Sequence, residues 1–146
     1  MILHAGLIAL RLGGVWRGAL LRGEAGAGKS DLMLRALGLG FRLVADDRTL
    51  VWSSGGAVYG RAPEQLCGLI ELRGLGIVGE PALPLAEVAL VVSCGADPVV
   101  ERMPEPAFET IAGVSIPLLI LRVRDASAPA KLGRALNRLG RRRGAA

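Results

Sequence analysis

The chain has 146 residues and a mass of 15.2 kDa, which favours a single compact domain over residues 1–146. With 51% hydrophobic and 21% charged residues it can bury a core, which excludes a disordered chain. Two isolated cysteines and one histidine exclude a disulfide scaffold, a zinc ribbon and a metal site built on paired histidines. We expect Cys67 and Cys94 to be small buried residues.

The net charge of +5 arises mostly near the C-terminus. The arginines concerned are Arg134, Arg138, Arg141, Arg142 and Arg143. A solvated basic helix end is the simpler interpretation, since no aromatic side chains for base stacking lie nearby, and we expect no nucleic-acid partner. No apolar run is long enough to span a membrane, and the N-terminus lacks the basic start of a signal peptide. We therefore expect a cytoplasmic protein with no membrane partner.

The first half of the sequence predicts strands around one glycine-rich loop and one helix. Residues 2–11 and 15–22 predict two strands joined by a Gly-Gly turn. After the loop at 23–30, apolar residues recur on one helical face and predict a helix that the glycines at 38 and 40 end. Further strands are predicted at residues 42–45, 49–53 and 57–61.

The second half predicts more strands and a C-terminal helix. The predicted elements are a short helix at 63–69, a glycine-punctuated segment at 71–78, strands at 88–93, 108–111 and 116–123, a loop at 95–106, and a basic amphipathic helix at about 129–142. This order predicts a mixed α/β fold with antiparallel hairpins and few helices. A doubly wound parallel sheet does not agree with this order of elements.

The glycine-rich loop matches the phosphate-binding pattern G-x(4)-G-K-[ST]. Its residues, all candidates for nucleotide binding, are Gly23, Glu24, Ala25, Gly26, Ala27, Gly28, Lys29 and Ser30. The composition of this chain would produce the pattern by chance only about 0.002 times. Glycines let backbone N–H groups turn around a phosphate, the lysine reaches the β- and γ-phosphates, and the serine hydroxyl ligates Mg²⁺.

ATP is a better candidate ligand than GTP. A GTP site usually includes an Asn-Lys-x-Asp contact to the base, and the only asparagine, Asn137, is followed by an arginine. Downstream of the loop, a predicted strand ends in Asp46-Asp47. Two adjacent carboxylates can divide the work, one supporting a metal and the other accepting a proton from an attacking hydroxyl. Glu71 is a third carboxylate that Mg²⁺ could use.

Together these segments carry a resemblance to a known family. The sequence H…GEAGAGKSD…RLVADD…APE…ELRGLGIV…ER…IAGVSIP is similar to the bacterial HPr kinase/phosphorylase family, over His4 to about Pro117. ELRGLGIV is a specific family motif, whereas the phosphate loop alone is not. The resemblance implies a P-loop kinase core like that of phosphoenolpyruvate carboxykinase, in the short form without a separate N-terminal domain. It also implies phosphorylation of a seryl residue on an HPr-like phosphocarrier, with ATP and Mg²⁺.

The resemblance also implies roles for individual residues. Ser30 and Glu71 would ligate Mg²⁺, and Asp47 would be the general base with Asp46 beside it. Lys29 would steady the transferring phosphoryl group. Arg102, in the Glu-Arg pair, matches the catalytic arginine of the family, and His4 matches the site histidine of the first strand.

One segment departs from the family. Longer members carry a Pro-Val-Arg-Pro-Gly-Arg-like loop linked to the reverse reaction with inorganic phosphate, whereas residues 122–127 here read RVRDAS. Kinase activity is therefore favoured over phosphorylase activity. A small-metabolite kinase and a non-catalytic ATP-binding regulator stay open as alternatives, as does a homo-oligomer, since longer members form hexamers.

Overall fold

The computed structural model describes residues 1–95 and 97–142. Position 96 of the predicted loop and Arg143 of the basic tail lie outside these residues. Helices α1 and α2 are Lys29–Leu37 and Ala128–Leu139, and a short 3-10 helix covers Glu64–Leu66. The strands, β1 to β11 in chain order, are Ile2–Leu3, Ala5–Leu12, Val15–Arg22, Arg42–Ala45, Thr49–Ser54, Ala57–Arg61, Leu69–Leu72, Gly76–Gly79, Ala86–Gly95, Ala107–Ile111 and Val114–Arg122.

Nine of these strands form one mixed sheet. Its main path runs β1-β5-β6-β9-β3-β2-β4, and β11 pairs with β9 while β10 pairs with β11. Strand β9 lies parallel to β3 on one side; its other side pairs first with β6, antiparallel, and further along with β11, parallel. Strands β7 and β8 form a separate two-stranded hairpin, and this hairpin contains the ELRGLGIV motif.

The strand directions bring four chain segments to one edge of the sheet. Strands β3, β9 and β11 are mutually parallel, and β4 runs the same way because both β3 and β4 lie antiparallel to β2. These four strands end at Arg22, Ala45, Gly95 and Arg122, and we call this side the carboxyl edge. In open α/β sheets, ligands bind outside the carboxyl ends of parallel strands.

The core has two parts, one on each face of the sheet. On one face α1 packs through Leu32, Met33 and Ala36, and α2 packs through Leu132 and Leu136. On the other face the sheet curls so that β5 and β6 cover β2 and β9. The apolar helix faces inferred from the sequence are therefore the buried ones. Among the described residues, no helix is long and apolar enough to cross a membrane.

The predicted mixed sheet with few helices is confirmed, and the bounds of three predicted elements need correction. The first predicted strand is broken at His4 into β1 and β2. The predicted helix at 63–69 is only a 3-10 turn, and its last residue begins β7. The C-terminal helix ends at Leu139, because Gly140 leaves the helical conformation and the Arg141 N–H donates to the Ala89 carbonyl.

The cysteines divide between surface and core. Cys94 lies in β9 and is buried, as expected. Cys67 is exposed, which makes the prediction of a second buried cysteine wrong. It follows the 3-10 turn and precedes Gly68, whose φ of 72° starts the turn into β7, so its side chain does not face the core.

Candidate active site

The phosphate loop connects β3 to α1 at the carboxyl edge. Gly26 and Gly28 have φ values of 83° and 103°, which lie in the left-handed region that glycine adopts without steric cost. Gly28 is the N-cap of α1, so the loop ends where the helix N-terminus presents its free N–H groups. The Ala27 N–H donates to the Glu24 carbonyl at 3.1 Å and closes the turn. The backbone thus has the form that cradles a phosphate.

Glycine is required at position 23 because the backbone of the loop lies very close to β9 there. A Cβ atom at this position would lie 2.2 Å from the Cys94 carbonyl oxygen, so no larger residue fits without a backbone shift. Cys94 itself is buried. Burial raises the pKa of its thiol to about 12, and the charge of Lys29 acts in the opposite direction. The start of the loop is therefore packed directly on the sheet.

Lys29 lies over the loop that it follows. Its side chain is 7% exposed, and its ammonium group donates to the carbonyl oxygens of Gly23 and, at 3.4 Å, Glu24. These bonds hold the charge at the centre of the loop. The exposed Glu24 and Ala25 form the outer part of the loop, while Ala27 is buried.

Asp46 joins the phosphate loop to the ELRGLGIV hairpin. It follows β4, and its carboxylate accepts the Ser30 hydroxyl at 3.3 Å and the backbone N–H of Glu71 at 2.9 Å. Burial raises the pKa of the Asp46 carboxyl, the two hydrogen bonds oppose that change, and the nearby Asp47 and Glu71 carboxylates add to it. Three residues predicted to serve the metal therefore lie together.

His4 and Asp47 form a second pair at the same edge. His4 Nε2 lies 2.9 Å from the Asp47 carboxylate, and both side chains are about half exposed. Asp47 has a φ of 66°, a left-handed conformation that aspartate tolerates better than most residues. The turned backbone points Asp46 and Asp47 to different partners, one to the loop and the other to the histidine.

Of the predicted catalytic residues, Arg102 alone has no hydrogen bond or ion pair among the residues that the structure describes. It lies in the connection between β9 and β10, which begins at the carboxyl edge, and its side chain is exposed. It makes no hydrogen bond or ion pair within the described part of the chain. Its catalytic role stays a prediction that rests on the family resemblance.

The sequence did not indicate the contacts of Arg35. This arginine of α1 donates to Asp31 at 3.0 Å and to the backbone carbonyls of Val123 and Asp125, which follow β11 at the carboxyl edge. The helical pattern placed Arg35 outside the apolar face but gave no sign of a partner about 90 residues away. Only the parallel pairing of β11 with β9 brings the two segments together.

The arrangement fits a nucleoside triphosphate with Mg²⁺. The described residues contain no cluster of three or more His, Cys, Asp or Glu side chains able to hold a metal alone. Mg²⁺ in phosphate sites commonly uses one or two protein oxygens and completes its shell with phosphate oxygens and water. The Ser30 hydroxyl and the carboxylates of Asp46 and Glu71 form such a partial set of hard oxygen ligands beside the loop.

A family comparison agrees with this geometry. Residues 3–83, more than half of the chain, match the model of the HPr Serine kinase C-terminal domain. The chain belongs to that family. The matched region contains the phosphate loop and the ELRGLGIV hairpin. It also contains His4 and the aspartate pair, whereas Arg102 lies beyond it.

Individual relatives of the HPr kinase family support the assignment. HPr kinase/phosphorylase from Leptothrix cholodnii is 40% identical over 119 residues, which cover 73% of this chain and 37% of that protein. The Clostridium tetani protein of the same name is 42% identical over 66 residues, 45% of this chain and 22% of that protein. The chain therefore corresponds to little more than a third of these relatives at most.

A solved structure shares the fold of this HPr kinase family member. The Hpr(Ser) kinase/phosphatase from Coxiella burnetii superposes with a TM-score of 0.78, covering 94% of this chain and 88% of that chain at 24% identity. The expected P-loop kinase fold is therefore confirmed. At this identity the likeness concerns the fold alone.

Proposed function

We propose that this chain is an ATP- and Mg²⁺-dependent protein serine kinase that phosphorylates a seryl residue of an HPr-like phosphocarrier, and so regulates phosphotransferase-system signalling. One observation carries the proposal: the phosphate loop, the Ser30–Asp46–Glu71 group and the His4–Asp47 pair meet at one edge of the sheet. Membership of the HPr kinase family supports the same reaction.

The phosphate loop would bind ATP through its backbone. The N–H groups around Gly26 and Gly28 and the N-terminus of α1 suit the polyphosphate, and Lys29 is within the loop to neutralise it. The lysine would exchange its bonds with the loop carbonyls for bonds with phosphate oxygens. Its burial favours this exchange, because charge interactions strengthen where water is excluded.

Ser30 and Glu71 would hold Mg²⁺, with Asp46 supporting the hydroxyl of the serine. The metal supplies neutralisation of the charge on the transferring group. Asp46 also fixes the backbone of Glu71, so one side chain sets the position of both proposed ligands. Such support of ligands by surrounding hydrogen bonds is general in metal sites.

Asp47 would act as general base on the seryl hydroxyl. It is exposed at the carboxyl edge, where a protein substrate can reach it, and His4 contacts one of its oxygens and orients the carboxylate. The proton of the hydroxyl passes to Asp47 as the seryl oxygen bonds to phosphorus and the leaving phosphate oxygen departs. Arg102 would close over the site from its exposed loop and stabilise the transferring charge.

The forward, kinase direction is the one proposed. The family loop linked to phosphorolysis is replaced by RVRDAS at 122–127, where the chain turns from β11 directly into α2. We propose a single kinase domain over residues 1–146. The proposal also includes association of the chain with further copies of itself as a homo-oligomer.

Transfer to a carrier tests the function directly. The protein is incubated with Mg-ATP and an HPr-like carrier, and the carrier is then weighed by intact-mass spectrometry. We expect the mass gain of one phosphoryl group, stable to acid as a phosphoserine is, and absent from a carrier in which the acceptor serine is alanine. Absence of transfer with folded protein and its cognate carrier would overturn the proposal. Phosphorylation of a small alcohol in place of the carrier would identify a metabolite kinase.

A further inference from the structure

Arg35 links the helix of the phosphate loop to the segment after β11. Its Nε donates to Asp31 on the same face of α1, and its two terminal nitrogens donate to the carbonyls of Val123 and, at 3.1 Å, Asp125. The rigid planar fork of arginine suits this set of acceptors, and the Asp31 carboxylate four residues earlier orients it. We call Val123–Asp125 the clamped turn.

The clamped turn also touches the phosphate loop. Val123 is fully buried, and a Cβ atom at Gly28 would lie 3.2 Å from its Cγ2 atom. Val123 thus packs on the last glycine of the loop, the N-cap of α1. Because β11 ends at Arg122, the Val123 carbonyl lies beyond the strand ladder, and Arg35 is the group that satisfies it.

The helix and the loop are therefore braced against the same short segment. Arg35 holds the backbone of the clamped turn from the last turn of α1, and the Val123 side chain rests on Gly28 at the start of that helix. Loss of the grip leaves two carbonyls to find other donors and lets Val123 move away from Gly28. The loop would then lose part of the support that fixes its φ values, and a loosened site binds its ligand more weakly.

We propose that Arg35 is a positioning residue for nucleotide binding, which acts through the clamped turn and Gly28 and does not itself touch the nucleotide. The inference rests on the proposed function in one respect: the ligand is a nucleoside triphosphate. It assigns to an arginine of the helix a role in setting affinity for the phosphates.

Binding of Mg-ATP to the full chain, measured by calorimetry well below the unfolding temperature of every variant, tests the proposal. We expect Arg35→Gln to weaken binding about tenfold, as loss of two charge-assisted hydrogen bonds that support the site would. Arg35→Lys, which keeps the charge but loses the planar fork, should recover only part of the affinity and bind between Arg35→Gln and the original chain. Arg138→Gln, an equal loss of charge on the exposed side of α2, should bind as the original chain does.

A second variant keeps the test valid if Arg35→Gln folds poorly. Val123→Ala removes the contact with Gly28 and should weaken binding by itself, and the double variant should bind no more than about twofold worse than the weaker single variant. Unchanged affinity in Arg35→Gln with a lowered unfolding temperature would reduce the residue to a structural role and overturn the proposal. The proposal would also be overturned if Arg138→Gln lost as much Mg-ATP affinity as Arg35→Gln does, or if the original chain bound no ATP.

Carrier phosphorylation is measured separately on the same samples. If the original chain binds Mg-ATP but transfers nothing to any carrier, the proposed kinase function fails while the affinity ranking still decides the role of Arg35. If transfer occurs and Arg35→Gln matches the original chain in affinity, the positioning role fails and the kinase function stands.

Discussion

His4 Nε2 lies 2.9 Å from the Asp47 carboxylate, at the break between β1 and β2. The contact joins the start of the chain to the end of β4, and the preceding aspartate, Asp46, contacts the phosphate loop instead. Two neighbouring carboxylates with different partners can take different parts in one reaction. The proposed division is between support of the metal site by Asp46 and proton transfer by Asp47.

Asp47→Asn tests that division. The amide keeps the size of the side chain and loses the ability to accept a proton, so we expect Mg-ATP affinity within about twofold and carrier phosphorylation reduced by about 10²–10⁴-fold. Binding is measured by calorimetry and transfer by intact-mass spectrometry. Glu80→Gln, a carboxylate directly after β8 and outside the proposed site, is the control and should change neither. Equal transfer by Asp47→Asn would remove the residue from the role of base.

Glu71→Gln tests the proposed metal ligand. The bond to Asp46 uses the backbone N–H of Glu71, so the substitution leaves it in place and the hairpin should keep its position. We expect the Mg²⁺ concentration for half-maximal transfer to rise by about tenfold, since an amide oxygen is a weaker ligand for this ion than a carboxylate. Glu64→Gln, also exposed and next to the hairpin, should leave the Mg²⁺ dependence unchanged. The same Mg²⁺ curve for both variants would contradict the assignment.

Gly23 and Gly26 should respond differently to alanine. At Gly23 the added methyl would lie 2.2 Å from the Cys94 carbonyl oxygen, so β9 or the loop must shift, at about 2–3 kcal/mol or more. At Gly26 nothing lies within 4 Å, and only the φ of 83° opposes alanine, at about 1–2 kcal/mol. Urea unfolding of both variants measures the difference. Equal losses would mean that the approach of Gly23 to β9 is not a constraint.

The two cysteines should differ in reactivity and in their response to alkali. At pH 8 iodoacetamide should modify the exposed Cys67 quickly and the buried Cys94 only when the chain unfolds. The folded pKa of Cys94, about 12, lies above its ordinary value of 9.0. Above pH 9 the thiol loses its proton in the unfolded chain but keeps it in the folded one. The contribution of Cys94 to the free energy of unfolding is therefore complete below pH 9 and is lost as the pH rises towards 12. Cys94→Ala should flatten the alkaline fall in stability, and an unchanged slope would count against this cause.

Local sequence patterns predicted the parts of the site that are contiguous in the chain. The loop at 23–30 and the aspartates after β4 follow from spacing and strand ends alone, and the structure brings Ser30 and Asp46 together as the phosphate-loop pattern implies. His4 and Arg102 carried no such pattern, and only the family resemblance singled them out. Glu71 was a candidate from its residue type, and the resemblance strengthened it. Their types, one histidine and two charged residues, are common on any protein surface.

Contacts between distant segments could not be predicted in the same way. The bond from the Glu71 N–H to Asp46 spans 25 residues, and Arg35 reaches carbonyls about 90 residues away. Both depend on how β4, β9 and β11 pair, which no local pattern specifies. Helix ends were missed for a smaller reason: the amphipathic pattern continues to Arg141, but Gly140 turns the backbone into the sheet.

Gly133, in the middle of α2, gives a prediction of increased stability. Its neighbours leave room for a methyl group, since an added Cβ would lie 3.6 Å from Leu10 and 3.9 Å from Phe41, at ordinary contact distance. These residues line a shallow groove of about 250 Å³ between α2 and the end of β2. Alanine favours the helix and adds apolar contacts, so Gly133→Ala should stabilise the fold by about 0.5–1 kcal/mol.

Gly140→Ala is the matched control for that variant. There the added Cβ would lie 2.3 Å from the Leu136 carbonyl oxygen, so the end of α2 must shift and the fold should lose stability. Both variants are compared by urea unfolding, with Mg-ATP affinity as a check that the carboxyl edge is unaffected. Destabilisation by Gly133→Ala equal to that of Gly140→Ala would show that the groove is tighter than the contact distances indicate. A rise for one variant and a fall for the other is the expected result, because a methyl group at Gly133 meets side chains at ordinary contact distance, whereas one at Gly140 would overlap the backbone of its own helix.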